Sequence, residues 1–150
     1  MAANAECIHA TCVVLGGNAA LIRGPSGSGK SDLALRFLGV PIPALEAEPR
    51  LVSDDQVLLS VRDGRLHAAP PPALAGLIEV RGLGIVKMPH VPGAIVTLVV
   101  DLVALAAVPR LPDPAPMASI LGIRLPLLRL APFESSAAIK LALALRPPRS

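Results

Sequence analysis

The chain has no tryptophan, no tyrosine and only two phenylalanines, Phe37 and Phe133, among its 150 residues. Nucleic-acid binding surfaces combine aromatic faces for the bases with clustered cations for the backbone. Here the formal charge of +3 is spread without a basic run, so no nucleic-acid partner is expected. Cysteine is equally scarce. Cys7 and Cys12 are five apart, so on one strand they would face opposite sides; the expectation is two reduced thiols in a cytoplasmic protein. Three histidines and two cysteines without zinc-ligand spacing give no reason to expect zinc. Charged residues are few, 17% against 53% hydrophobic. That balance excludes a disordered chain and implies strands buried on both faces, a subunit interface, or both. The opening Met-Ala-Ala-Asn-Ala-Glu lacks the features of a signal peptide. The one membrane-like stretch, 91–108, opens on Pro92-Gly93 and holds Asp101 near its middle, where burial in lipid would cost about 2.5–3.5 kcal/mol. No membrane association is expected, and Ile95 to Val100 reads as a core strand.

What is present is concentrated in one octapeptide. Gly24-Pro25-Ser26-Gly27-Ser28-Gly29-Lys30-Ser31 fits G-x-x-x-x-G-K-[ST], the phosphate-binding loop. An apolar run, Ala19 to Ile22, precedes it and a segment with helical apolar spacing, Asp32 to Leu38, follows, which is the strand–loop–helix context the motif needs. In such a loop backbone N–H groups and the helix N-terminus converge on phosphate oxygens. Lys30 would reach the β- and γ-phosphates and the Ser31 hydroxyl would hold Mg²⁺.

The coarse organisation is strand-rich within one domain. Ile8 to Leu15 and Ala19 to Arg23 read as strands joined at Gly16-Gly17-Asn18. A helix follows Lys30 and ends near Gly39, with Pro41 and Pro43 beyond it. The linker Val40 to Arg50 reads as a surface loop. Asp63-Gly64 between two apolar runs is the strongest hairpin signal in the chain. A strand into Glu79 and Val80, a proline-rich connection from Pro109 to Pro116, and a last helix from about Ser135 to Leu145 complete the reading.

A second constellation is Asp54-Asp55, at the end of a short strand and 23 and 24 residues beyond Ser31. Beside a phosphate loop, a strand-end acid can hold Mg²⁺ or accept the proton of an attacking hydroxyl; adjacent acids on an extended chain point apart, which suggests two jobs. Asp is equally a turn residue. His9 on the opening strand is open between a structural histidine and a proton-handling one.

Leu77 to Val86, Leu-Ile-Glu-Val-Arg-Gly-Leu-Gly-Ile-Val, closely resembles the signature of the HPr kinase/phosphorylase family. The His9 strand, the loop with Asp32 after it, the Leu51 to Asp55 block and, more weakly, Ile120 to Ile123 agree in order. The resemblance implies an α/β fold: a P-loop-containing kinase domain with a mixed, partly antiparallel sheet, similar to the HPr kinase C-terminal domain and to phosphoenolpyruvate carboxykinases. It implies ATP and Mg²⁺ as cofactors, an HPr-like phosphocarrier as protein partner, phosphorylation on serine and a homo-oligomer, hexameric in long members. Residue by residue, it implies Lys30 on the phosphates, Ser31 and Glu79 on the metal, Asp55 as proton acceptor and His9 at the active site. Asp54 would support Asp55 or the metal, and Arg81, Gly82 and Gly84 belong to the catalytic signature. Residues 1–150 would form one catalytic domain without a separate N-terminal domain, as in short alphaproteobacterial forms. Long members carry an arginine in a Pro-x-x-x-Gly-Arg-Asn run where this chain has Pro132 to Ala138 without one, so little phosphorylase activity is expected. Two alternatives stand beside this reading: a small-molecule kinase or NTPase using the same loop, and a nucleotide-sensing regulatory module.

Overall fold

A computed structural model describes residues 5–40 and 47–146. In chain order the strands are β1 (Glu6–His9), β2 (Thr11–Leu15), β3 (Asn18–Arg23), β4 (Pro49–Ser53), β5 (Gln56–Arg62), β6 (Arg65–Ala69), β7 (Leu77–Val80), β8 (Gly84–Lys87), β9 (Ala94–Leu102), β10 (Met117–Ile120) and β11 (Ile123–Leu130). Two helices, α1 (Lys30–Leu38) and α2 (Ala137–Leu145), pack against them.

Among the described residues the strands form one mixed sheet of nine and a separate β7–β8 hairpin. The longest strand, β9, organises the large sheet. One of its edges pairs in parallel with β3; the other pairs antiparallel with β6 at Ala94–Ile95 and in parallel with β11 at Val99–Leu102. The sheet therefore forks at β9. From β6 it runs on through β5 to β1, and from β3 through β2 to β4.

Alternation along the central strands supplies two cores. Val13, Leu15, Ala20, Ile22 and Val100 face α1 and α2, where they meet Leu33, Phe37, Leu141 and Leu145. Cys12, Val14, Ala19, Leu21 and Val99 face the other way, against Val57, Leu59 and Leu66. Strands buried on both faces have no polar alternation to show, which accounts for the apolar composition. Each fully buried Leu or Phe contributes about 1.5–3 kcal/mol. The helices dock by spacing: α1 buries Leu33, Ala34 and Phe37, and α2 buries Ala137, Ala138, Leu141, Ala142 and Leu145. Asn18 Nδ2 donates to the Leu145 carbonyl at 2.9 Å, satisfying one of the open acceptors at the end of α2.

The strand expected from Ile8 to Leu15 is two. β1 pairs with β5, whereas β2 pairs with β3 and β4. Between them the Ala10 N–H donates to the Asp55 carbonyl at 3.1 Å, and the chain changes partner there. The two cysteines are thus on different strands: Cys7 is exposed and Cys12 buried, both free. The last helix begins at Ala137, later than expected, because Ser135-Ser136 lie in a turn. The middle of the Val40 to Arg50 linker, 41–46, lies outside the described residues, and Pro49-Arg50 already belong to β4. Asp63-Gly64 forms the expected hairpin turn, with φ of 53° and 72°, the positive pair that a two-residue type I′ turn requires.

Candidate active site

The carboxyl end of β3 runs into Gly24–Gly29, and α1 begins at Lys30. The loop is tight. A Cβ on Gly24 would lie 2.5 Å from Ser28 Oγ and 3.2 Å from Ser28 Cβ, so Ser28 would have to shift to admit one. Gly29, with φ of 99°, turns the chain into α1, a conformation that L side chains avoid. The first N–H groups of α1 have no acceptor within the helix and carry its positive dipole end. Lys30 is 7% exposed. Its ammonium donates to the Gly24 carbonyl at 2.6 Å and the Pro25 carbonyl at 3.0 Å, which pins the side chain across the loop with a third donor left over. Pro25, Ser26 and Gly27 form the exposed tip. Among the described residues, Ser28 Oγ is a buried hydroxyl without a hydrogen-bond partner.

β4 is antiparallel to β2, which is antiparallel to β3, so the β4 end carrying Asp54 and Asp55 reaches the phosphate loop. The two acids separate as the sequence suggested, for a sharper reason than strand alternation. Asp55 has φ of 70°, and the Gln56 N–H donates to the Asp54 carbonyl at 2.8 Å. That is a γ-turn of the rare, strained hand. Asp54 turns inward and is 5% exposed. Its Oδ1 accepts from Ser31 Oγ at 2.7 Å and Thr11 Oγ1 at 2.9 Å, and its Oδ2 from the Glu79 N–H at 3.3 Å. Asp55 turns outward and meets His9 Nδ1 at 3.2 Å, both side chains more than half exposed.

The β7–β8 hairpin brings the remaining signature residues to the same place. Ile78 is buried in the helix-side core, which turns Glu79 outward beside Asp54; Arg81 and Gly82 form the exposed turn that follows. The hairpin base is fixed to β4, the Leu51 N–H donating to the Pro89 carbonyl at 3.1 Å and the Val91 N–H to the Leu51 carbonyl at 3.0 Å. Gly76 has φ of 78°, a conformation that L side chains avoid, and a Cβ there would lie 2.5 Å from the His90 ring.

Of the residues picked out in the sequence, Ser31, next to Lys30, meets Asp54, which the Glu79 N–H also reaches, His9 and Asp55 form an exposed pair, and Arg81 lies on the exposed hairpin turn without an ion pair among the described residues. The sequence reading missed Thr11, although a wholly buried hydroxyl in an apolar strand signals a hidden acceptor. It noted Pro132 to Ala138 only for the arginine that run lacks, not for the packing of Pro132 and Phe133 on Gly29. A cavity of about 780 Å³ lies elsewhere, lined by Gly16, Gly17, Arg62 and His67, and contains none of these groups.

Among the described residues no three His, Cys, Asp or Glu side chains form a ready metal cage. The donors in this neighbourhood are oxygens: the Ser31 hydroxyl beside the Asp54 carboxylate, with Glu79 joined to Asp54 through its backbone N–H and its side chain exposed. That set suits Mg²⁺, which takes one or two carboxylates and completes its shell with water and substrate phosphates.

Residues 1–139 match the family described as the HPr serine kinase C-terminal domain. The HPr kinase/phosphorylase of Clostridium tetani is 37% identical over 86 residues, 57% of this chain and 26% of that protein. The HPr kinase/phosphorylase of Lacticaseibacillus casei is 36% identical over 88 residues, 58% and 25% respectively. The matched stretch therefore spans about a quarter of these curated relatives. The solved structure of the Hpr(Ser) kinase/phosphatase from Coxiella burnetii superposes with a TM-score of 0.74 at 27% identity, over 93% of this chain and 87% of that one.

Proposed function

The chain belongs to the family of HPr serine kinase C-terminal domains, and on that premise we propose that it transfers the γ-phosphoryl group of ATP, with Mg²⁺, to a serine of an HPr-like phosphocarrier protein. The observation that carries the reading is the Ser31–Asp54 hydrogen bond at 2.7 Å, which ties a complete phosphate loop to a strand-end acid. Phosphoryl transfer asks for positioning and charge neutralisation more than for covalent chemistry.

In this reading the N–H groups of 27–31 and the Lys30 ammonium hold the β- and γ-phosphates. Ser31 and Glu79 hold Mg²⁺, with Asp54 orienting Ser31 through its hydrogen bond. When bound, Mg²⁺ neutralises charge on the β- and γ-oxygens. The acceptor seryl oxygen attacks the γ-phosphorus in line, the bond to the β–γ bridging oxygen breaks, and ADP leaves. Asp55, outward-facing and held beside His9, takes the hydroxyl proton. Arg81 and Gly82, on the turn above Glu79, border the acceptor side. The protein acts in the cytoplasm as a homo-oligomer, and reversal by inorganic phosphate is slow because 132–138 contains no arginine.

The test is transfer of radiolabelled γ-phosphate to purified HPr. Wild type should label one serine and Lys30→Ala should abolish labelling while remaining folded. If Lys30→Ala kept most of the wild-type rate, or if ATP were consumed without labelling HPr, the reading would fail.

A further inference from the structure

Phe133 is 74% exposed, while the only other aromatic residue of the chain, Phe37, is fully buried. Leaving a phenylalanine in water forgoes stabilisation that the fold obtains elsewhere. Its position is nevertheless well determined. Phe133 lies on the strap 131–136 that links β11 to α2, and Arg36 of α1 pins the carbonyls on both sides of it. Arg36 Nη2 donates to the Pro132 carbonyl and Arg36 Nη1 to the Glu134 carbonyl at 3.2 Å, while Nε is held by Asp32 Oδ2 at 3.0 Å. Lys140 fastens the strap from α2 through Glu134 at 2.8 Å.

So held, the ring presents its edge to the phosphate loop. Phe133 Cε1 and Cζ lie 3.1 and 3.2 Å from where a Cβ on Gly29 would stand, at the residue just before Lys30. The rest of the ring faces solvent. β3, β9 and β11 are parallel, and the phosphate loop and the strap leave the carboxyl ends of two of them. Ligands of α/β sheets bind at such ends. Phosphates gripped at the α1 N-terminus leave the nucleoside to find a flat apolar surface nearby, and Phe133 is the one aromatic face at hand.

We propose that Phe133 is the platform on which the base of the bound nucleotide stacks. The proposal rests on the reading of Gly24–Ser31 as a nucleotide phosphate site. A stacking face reads no base edge, because every base has a π-face, so ATP and GTP should depend on it alike.

The experiment is isothermal titration of wild type, Phe133→Ala and Phe133→Trp with Mg-ATP, Mg-GTP and Mg-tripolyphosphate, the last presenting phosphates without a base. Loss of one base–aromatic stack weakens binding by roughly 5- to 150-fold. Phe133→Ala should show that loss for both nucleotides and keep wild-type affinity for tripolyphosphate, and Phe133→Trp should restore the nucleotides. Unchanged nucleotide affinity in Phe133→Ala overturns the proposal, including the case where only binding of HPr falls, which would make the ring a protein-docking residue. Equal losses for tripolyphosphate overturn it too, since the ring would then act by shaping Gly29. Wild type that binds tripolyphosphate but no nucleotide refutes the platform alone; wild type that binds neither refutes the phosphate-site reading with it.

Discussion

Asp54 is the junction of the site, and removing it should cost more through what it strands than through what it contributes. In Asp54→Ala, Ser31 is part-exposed and its hydroxyl can turn to water, and the Glu79 N–H loses only a long 3.3 Å contact. Thr11 is wholly buried and its hydroxyl has no other partner among the described residues. A stranded buried donor costs about 1–3 kcal/mol, and loss of hydrogen bonds to a charged acceptor brings the expected total to about 2–4 kcal/mol. Thr11→Val removes the hydroxyl at nearly constant volume and should alone cost about 1 kcal/mol, since Asp54 keeps Ser31 and Glu79. If stranding is the cause, the double variant Thr11→Val/Asp54→Ala should be no less stable than Asp54→Ala, and should recover about 1 kcal/mol. Urea unfolding followed by circular dichroism reads this directly: with m unchanged, 3 kcal/mol displaces the midpoint by about 1–3 M. Simple addition of the two single costs would refute the reasoning, because contacting residues that share one bond must couple.

Asp55 should show the opposite balance. Asp55→Gly relieves the positive φ, so stability should stay level or rise by about 1 kcal/mol, while HPr labelling should slow roughly 10²- to 10⁴-fold, the size of a lost general base. A clear loss of stability would contradict the strained turn. Glu79→Gln should raise the Mg²⁺ concentration needed for half-maximal transfer, and an unchanged Mg²⁺ titration would remove Glu79 from the metal. Thiol reagents should label Cys7 alone in the native protein and both cysteines in urea. Burial pushes the Cys12 thiol far up. Its contribution is therefore intact below the unfolded value of about 8.5 and is lost as pH rises beyond it, by up to about 1.4 kcal/mol per pH unit. Cys12→Val should flatten that alkaline decline, and an identical decline in the variant would refute the assignment.

The parts of the site that were legible in the sequence are those whose chemistry is local. The phosphate loop is read within eight residues, and the Asp63-Gly64 turn within two, because glycine and aspartate mark the backbone angles they permit. The matching turn at Leu121-Gly122 was not read as one. Leu121 has φ of 50°, which leucine does not advertise; the pairing of β10 with β11 imposes it. That Asp54 and Asp55 point apart was anticipated, but the cause, a γ-turn held by Gln56 and Ala10, has no signature in residue type. Contacts across the chain were hidden altogether. Thr11 meets Asp54 across 43 positions, and Arg36 reaches the strap across 96 and 98, distances over which periodicity carries no information.

The fork at β9 has a consequence for how the protein is made. By the time the ribosome has added Val91, every residue proposed to touch phosphate, metal or the seryl proton has been synthesised. The strand that must lie between β6 and β3 has not. A nascent chain of that length can close its local hairpins, β2 with β3 and β5 with β6, yet β3 has no parallel neighbour to fix the height at which the loop leaves it. Non-local parallel pairing is slow to form, so the emerging chain carries the side chains proposed for catalysis before they are assembled into a site. The proposed site can take shape only once 94–102 lies between β6 and β3.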